Sequence, residues 1–101
     1  MAKILQINFR FSISPTQLAE GFAPLAEPIA KVTGLRWKIW SLNEAESEFA
    51  GIYLFDDTES AQAYLEGPII EQVSKHPALS DISAKQFDVI DEFTAITRGP
   101  I

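Results

Sequence analysis

From Lys3 to Ser12 apolar and polar side chains alternate: Leu5, Ile7, Phe9 and Phe11 on one side, Gln6, Asn8 and Arg10 with Ile4 on the other. A period of two over this length makes a strand, and its apolar side requires a covering layer. Ser14-Pro15-Thr16-Gln17 comes next as a helix start. Ser14 can cap, Pro15 suits the first helical position, and Gln17 can complete a capping box. Leu18, Phe22, Leu25, Ile29 and Val32 then form one apolar helical stripe that supplies such a layer. Pro24 and Pro28 interrupt it. Each removes a backbone donor and crowds the preceding turn, so a kink or stop is expected near residue 23 or 27, with the exit at Gly34.

The rest of the chain repeats this alternation of elements. Leu35 to Leu42 reads as a second strand, with Leu35, Trp37 and Ile39 facing one way and Arg36, Lys38 and Trp40 the other. A polar link, Asn43-Glu44-Ala45-Glu46, leads to a third strand over residues 48–56, and so short a connection implies an antiparallel hairpin. Asp56-Asp57-Thr58-Glu59 caps a second helix with Ala61, Tyr64 and Leu65 inward. Gly67-Pro68 breaks it, Ile69, Ile70 and Val73 mark a short further segment, and His76-Pro77 ends that. Residues 82–90 read as a fourth strand and residues 93–101 as a loose tail suited to packing on a partner.

Strand, helix, strand, strand, helix, strand is the α+β, ferredoxin-like order: a βαββαβ antiparallel sheet with helices on one face. One such domain accounts for residues 1–101. The helix-facing set is expected to be Ile7, Phe9, Phe11, Trp37, Ile39, Tyr53 and Phe55, joined by Phe87 and Val89. The other face would carry Ile4, Gln6, Asn8, Lys38, Trp40, Ile52, Leu54, Gln86 and Ile90. That face is too apolar to leave wet, so a two-fold homodimer is expected, with Gln6, Asn8, Lys38, Trp40, Ile52 and Leu54 at its interface.

Composition narrows the chemistry. Cysteine is absent and there is one histidine, which removes thiolate sites, disulfides and any site needing two imidazoles. The net charge is -6, and residues 51–101 hold three basic against nine acidic side chains, a surface unsuited to nucleic acid. No apolar run is long enough to span a membrane. Met1-Ala2-Lys3-Ile4 carries no signal-peptide pattern, so the expected compartment is the cytoplasm. Phosphate-binding glycine loops, the serine-hydrolase elbow and the H-E-x-x-H zinc motif are all missing.

Three groups of side chains remain. The acids Asp56, Asp57 and Glu59, and Asp88, Asp91 and Glu92, read either as a cap and a solvated strand end or as ligands of a hard cation. His76 reads as an exposed helix-end residue, or as a general base or axial haem ligand. The aromatics Phe9, Phe11, Trp37, Tyr53, Phe55 and Tyr64 read as closed core, or as the lining of a pocket between sheet and helices. In the second case Trp37 and Tyr53 would orient a flat substrate through an indole N–H and a phenol.

Leu5-Gln6-Ile7-Asn8-Phe9-Arg10-Phe11, Gly34-Leu35-Arg36-Trp37-Lys38-Ile39-Trp40, Ala50-Gly51-Ile52-Tyr53-Leu54-Phe55, Ala61-Gln62-Ala63-Tyr64-Leu65-Glu66 and Lys85-Gln86-Phe87-Asp88-Val89 resemble the YdhR-like putative mono-oxygenases. The resemblance covers about residues 3–92, and the W-K-x-W and G-I-Y-L-F stretches are its most specific parts. It implies a dimeric α+β barrel related to the antibiotic-biosynthesis mono-oxygenases. Those enzymes oxidise phenols and anthrone-like compounds with O₂, without flavin, haem or metal. The function implied is a cofactor-independent mono-oxygenase acting on a phenol, hydroquinone or anthrone-like compound. The alternative is a non-catalytic dimer that binds a small aromatic molecule. The relatives line their pocket with an asparagine, a tryptophan and a tyrosine, which by residue type correspond to Asn8, Trp37 and Tyr53 as catalytic candidates. Haem-degrading members of the superfamily imply a second, looser set: Asn8, Tyr64 and His76.

Overall fold

A computed structural model describes residues 1–101. In chain order it contains β1 (Lys3–Phe11), α1 (Pro15–Ala30), β2 (Leu35–Asn43), β3 (Glu48–Phe55), α2 (Thr58–Leu65), α3 (Pro68–Ser74), β4 (Leu79–Asp88) and α4 (Asp91–Ile96). The four strands form one antiparallel sheet in the order β2-β3-β1-β4. This is the ferredoxin-like arrangement that the element order implies, with α4 added where a loose tail was expected.

α1 begins on a complete capping box. Gln17 N–H donates to Ser14 Oγ at 3.1 Å, and Ser14 N–H donates to Gln17 Oε1 at 3.0 Å. The expected stop near residue 23 or 27 does not occur; α1 runs through both prolines to Ala30. Pro24 and Pro28 are exposed, so the carbonyls they leave without donors face water instead of the core. The buried stripe of Leu18 and Ile29, with Phe22 and Leu25 half-buried, holds the helix on the sheet.

Two bulges reset the faces of the edge strands. In β2, Leu35 pairs with Phe55 but Trp37 pairs with Leu54, which leaves Arg36 as the extra residue. Beyond it Lys38 lies opposite Tyr53, Ile39 opposite Ile52, and Trp40 opposite Gly51. Cross-strand partners share a face, and one extra residue moves every later side chain to the other side. Trp37 and Ile39 therefore lie on the outer face, and Lys38 and Trp40 on the helix face, the reverse of the uninterrupted alternation. In β4, Ser83 pairs with Asn8 but Ser80 with Arg10, so Asp81 and Ile82 together oppose Phe9, with Asp81 at φ 53°. Gln86 then pairs with Leu5 on the helix face and donates to Gln62 Oε1 of α2 at 3.1 Å. Phe87 pairs with Ile4 on the outer face, and Val89 lies past the strand end; both were expected to face the helices.

The core lies between sheet and helices in two clusters. One holds Leu5, Ile7, Ile29, Tyr53, Phe55, Ala61 and Tyr64, and the other Phe9, Phe11, Leu18 and Phe49. On the outer face the C-terminal tail returns to β2, where the Trp37 indole N–H donates to the Pro100 carbonyl at 2.7 Å. No helix is long and apolar enough to cross a membrane.

Candidate active site

Where the two clusters meet, aromatic rings from α1, β1, β2, β3 and α2 surround one amine. Phe9 stacks on Phe49 at 4.8 Å between ring centroids, and Phe22 of α1 meets Phe49 edge-on at 5.0 Å. Trp40 closes the group at 5.6 Å from Phe22 and 6.2 Å from Phe49. Lys38 extends from β2 over the Trp40 ring, its Nζ 3.4 Å from the centroid and 4.6 Å from that of Tyr53. Space for it exists because residue 51 has no side chain. A Cβ there would lie 3.2 Å from Lys38 Cε and 3.1 Å from Tyr53 Cε1.

Tyr53 and Tyr64 complete the polar part. Their hydroxyls are 3.1 Å apart in a buried setting, and either can be the donor. One hydroxyl proton is used in that bond, which leaves the accepting tyrosine's own O–H free to donate elsewhere. Burial pushes the Tyr53 phenol up, reinforced by Tyr64 beside it; burial also pushes Tyr64 up, against the opposing effect of the Tyr53 hydrogen bond. Both are neutral donors at ordinary pH. The Lys38 amine moves in the opposite sense. Burial disfavours its charged form and pulls it down to about 7. The salt bridges of the protein engage Lys3, Arg10, Arg36 and Lys75, and Lys38 meets no carboxylate.

These groups line a small, partly open cavity of about 20 Å³, room for about one water. Next to it a groove of about 380 Å³ opens between α1 and the β2 edge, walled by Leu18, Phe22, Ala26, Trp40, Leu42 and Phe49. Phe22, Trp40 and Phe49 border both spaces, so these rings separate a ligand-sized groove from the lysine and the tyrosine pair.

A family model described as "Putative mono-oxygenase ydhR" matches residues 4–100. This chain belongs to that family. No curated protein sequence matches it significantly. Among solved structures, the cofactor-independent oxygenase SnoaB from Streptomyces nogalater superposes with a TM-score of 0.70 at 17% identity, over 87% of this chain and 92% of that one. A putative antibiotic biosynthesis monooxygenase from Deinococcus radiodurans gives 0.68 at 13% identity, over 85% and 91%. The heme-degrader MhuD from Mycobacterium tuberculosis, solved with two hemes bound in its active site, gives 0.65 at 21% identity, over 86% and 95%. At these identities the likeness is one of fold.

Within this YdhR-family chain the residues singled out in the sequence divide. Phe9, Tyr53 and Tyr64 line the cavity. Phe11 and Phe55 are closed core, packed in the second and first clusters. Trp37 lies on the far side of the sheet with its N–H occupied by Pro100, because of the bulge at Arg36. Asn8 is also on the outer face; its amide donates to Glu48 Oε2 at 3.3 Å and its Oδ1 accepts from Gln6 at 3.0 Å. Asn8, Trp37 and Tyr53 are thus not brought together. Neither are Asn8, Tyr64 and His76, since His76 is exposed and its Nδ1 accepts from the Ala78 N–H at 3.1 Å. That set has no common cavity in which to hold a haem. Lys38 and Trp40, expected at the outer interface with Gln6, Asn8, Ile52 and Leu54, point instead into the site.

Three of the six acids have partners nearby, and Glu59, Asp91 and Glu92 lie in the first turns of α2 and α4. Asp57 accepts from Ser60 N–H at 2.8 Å as the α2 cap, Asp56 pairs with Arg36 at 2.6 Å, and Asp88 pairs with Lys3 at 2.6 Å. No group of three or more metal-ligating side chains converges. Sequence reasoning missed Lys38, Trp40 and Phe49 as lining residues, and placed Phe22 only as helix stripe. Phe49 was within reach of it, since the period of two that places Tyr53 inward places Phe49 inward as well.

Proposed function

We propose that this chain is a cofactor-independent mono-oxygenase of a small hydroxylated aromatic compound, bound in the α1–β2 groove against the cavity. The observation that carries this reading is the ring-lined wall that separates the groove from Lys38 and the Tyr53–Tyr64 hydroxyl pair. Rings offer flat apolar contact to a flat ligand. The free tyrosine O–H offers a hydrogen bond to developing negative charge on its oxygen, in a site from which most water is excluded. Family membership and the oxygenase structures of like fold support the class of chemistry, and the geometry supports the class of ligand. Rotation of Phe22 and Trp40 would join groove and cavity, because these rings are the partition.

In such a reaction the substrate is its own reductant. An electron-rich aryloxide reacts with O₂ at an activated ring carbon. For a ring methylene, one oxygen atom becomes the carbonyl and the other leaves as water with both methylene hydrogens. The four electrons that reduce O₂ all come from that carbon. The protein's part is to bind the ring, keep water out and hold the anion.

The test is oxygen consumption by metal-stripped protein with naphthohydroquinones and anthrones. Tyr53→Phe should lower kcat/KM by on the order of 10–100-fold, whereas Trp37→Phe, on the outer face, should leave it near that of the unsubstituted protein. Saturable binding of these compounds with no oxygen uptake would instead make the protein a non-catalytic aromatic-binding module.

We also infer that a second copy of the chain covers the outer sheet face. Ile39 and Phe87 on that face are 50% and 48% exposed, and Gln6, Asn8 and Ile52 lie beside them. An apolar sheet face of this kind marks an interface, and two-fold pairing is its commonest solution.

A further inference from the structure

Lys38 is the one charged side chain that lines the cavity. The helices α1 and α3 present only apolar groups there, through Phe22, Leu25, Ile29, Ile69, Ile70 and Val73. The titratable groups that face the amine are Tyr53 from β3 and Tyr64 from α2, both held neutral by burial. Arg36, two residues back on the same strand, is occupied by Asp56 at 2.6 Å. The amine makes no hydrogen bond and no ion pair and its nitrogen is not fully sealed; Phe22 and Trp40 stand between it and the groove, and their rotation would admit a ligand. An unpaired amine among rings suits an aromatic ligand that carries an acidic group, and an aromatic hydroxyl is one that the Tyr53–Tyr64 pair can also hydrogen-bond.

We propose that Lys38 is the proton acceptor and counter-ion of this site, taking the proton of an aromatic hydroxyl that enters by the α1–β2 groove and holding the aryloxide that results. The inference rests on the oxygenase reading only for the chemistry after ionisation. The step itself is a proton transfer: the O–H bond breaks, its electron pair stays on oxygen, and the proton joins Nζ to give an ammonium. That ammonium stays over the Trp40 ring, whose face attracts a cation. Burial supports the acceptor role, since it brings the amine down to about 7 and leaves a large neutral fraction at neutral pH. This defines the substrate class. Hydroxyarenes and hydroquinones fit, whereas their methyl ethers, with no proton to give, do not.

The experiment is an anaerobic titration with 4-nitrophenol, whose phenolate absorbs in the visible. Bound to the unsubstituted protein, the probe should ionise with a constant raised at least tenfold over that of the free probe. Lys38→Met should abolish the increase, and Lys38→Arg, which keeps the charge but accepts no proton, should retain it, which reads the counter-ion role; acceptance of the proton is read from the amine's own titration. Equal ionisation of the probe on the unsubstituted protein and on Lys38→Met overturns the proposal. So does the absence of saturable binding to the unsubstituted protein, which would also remove the aromatic site. A second readout needs no substitution: the ε-methylene NMR signal of Lys38 should titrate at least one pH unit higher when the probe is saturating. An unmoved midpoint overturns the proposal even if Lys38→Met fails to fold. Oxygen uptake is recorded separately. Phenolate binding through Lys38 with no uptake from any hydroxyarene would sink the oxygenase reading and leave this one standing.

Discussion

At the scale of single residues, the site sets a tyrosine pair against a lysine that burial drives the other way. The folded chain binds fewer protons at Lys38 than the unfolded chain between about 7 and the ordinary 10.5. The free energy of unfolding must therefore rise with pH across that window. Above the ordinary tyrosine value of 10.0 the sign reverses, because Tyr53 and Tyr64 keep their protons when folded and release them when unfolded. Chemical denaturation should show stability climbing from about pH 6 to 9.5 and falling by about pH 11. Lys38→Met should remove the climb and keep the fall. A climb that persists in Lys38→Met would show that the amine is not the group responsible. Tyr64→Phe should cost about 1–2 kcal/mol in the same assay, since it strands the Tyr53 hydroxyl in a buried place. At the acid end, the hydrogen bond from Lys3 holds Asp88 below the usual carboxylate range, and the Ser60 N–H does the same for Asp57. Both contributions fade as pH falls through those lowered values.

At the scale of elements, one inserted residue decides which side chains meet the helices. β1 has the alternation its sequence shows, with Leu5, Ile7, Phe9 and Phe11 all buried. β2 does not, because Arg36 is looped out of the pairing with β3 and turns Lys38 and Trp40 inward. Nothing in Leu35-Arg36-Trp37-Lys38-Ile39-Trp40 marks the bulge, since either phase puts one tryptophan in and one out. Pairing with β3 makes the choice, and Gly51 leaves room there for the long Lys38 side chain. Gly51→Ala should therefore act on the site as well as on stability. Its methyl would press Lys38 Cε at 3.2 Å and Tyr53 Cε1 at 3.1 Å. Overpacking of this kind costs about 1–3 kcal/mol. In a Trp37→Phe background, Trp40 fluorescence should change as the amine leaves the ring. An unchanged spectrum with unchanged stability would show that β3 yields without moving Lys38. Pro24 and Pro28 make the converse point, because where the water-facing side of α1 carries the fault, the buried stripe keeps the helix whole.

At the scale of the whole molecule, helices on one sheet face leave the other to be covered. The tail covers part of it: Trp37 is tied to Pro100, and its cross-strand neighbour Leu54 is fully buried. Ile39 and Phe87 stay half exposed. Light scattering at micromolar concentration should give twice the chain mass, and Ile39→Glu combined with Phe87→Glu should return the mass of one chain. A monomeric mass for the unsubstituted protein would refute the pairing. By itself the sequence determined the element order, the capped start of α1, the buried face of β1 and the family, because these depend on local propensity and on periodicity within one segment. It also contained Phe9, Tyr53 and Tyr64, whose phase no bulge disturbs. The alternation of β1 likewise put Asn8 on the outer face, and only the tertiary structure decided that Lys38 and Trp40 belong to the site while Trp37 does not. That distinction is set by register between strands, and a bulge that costs one strand little locally reverses the face of everything beyond it.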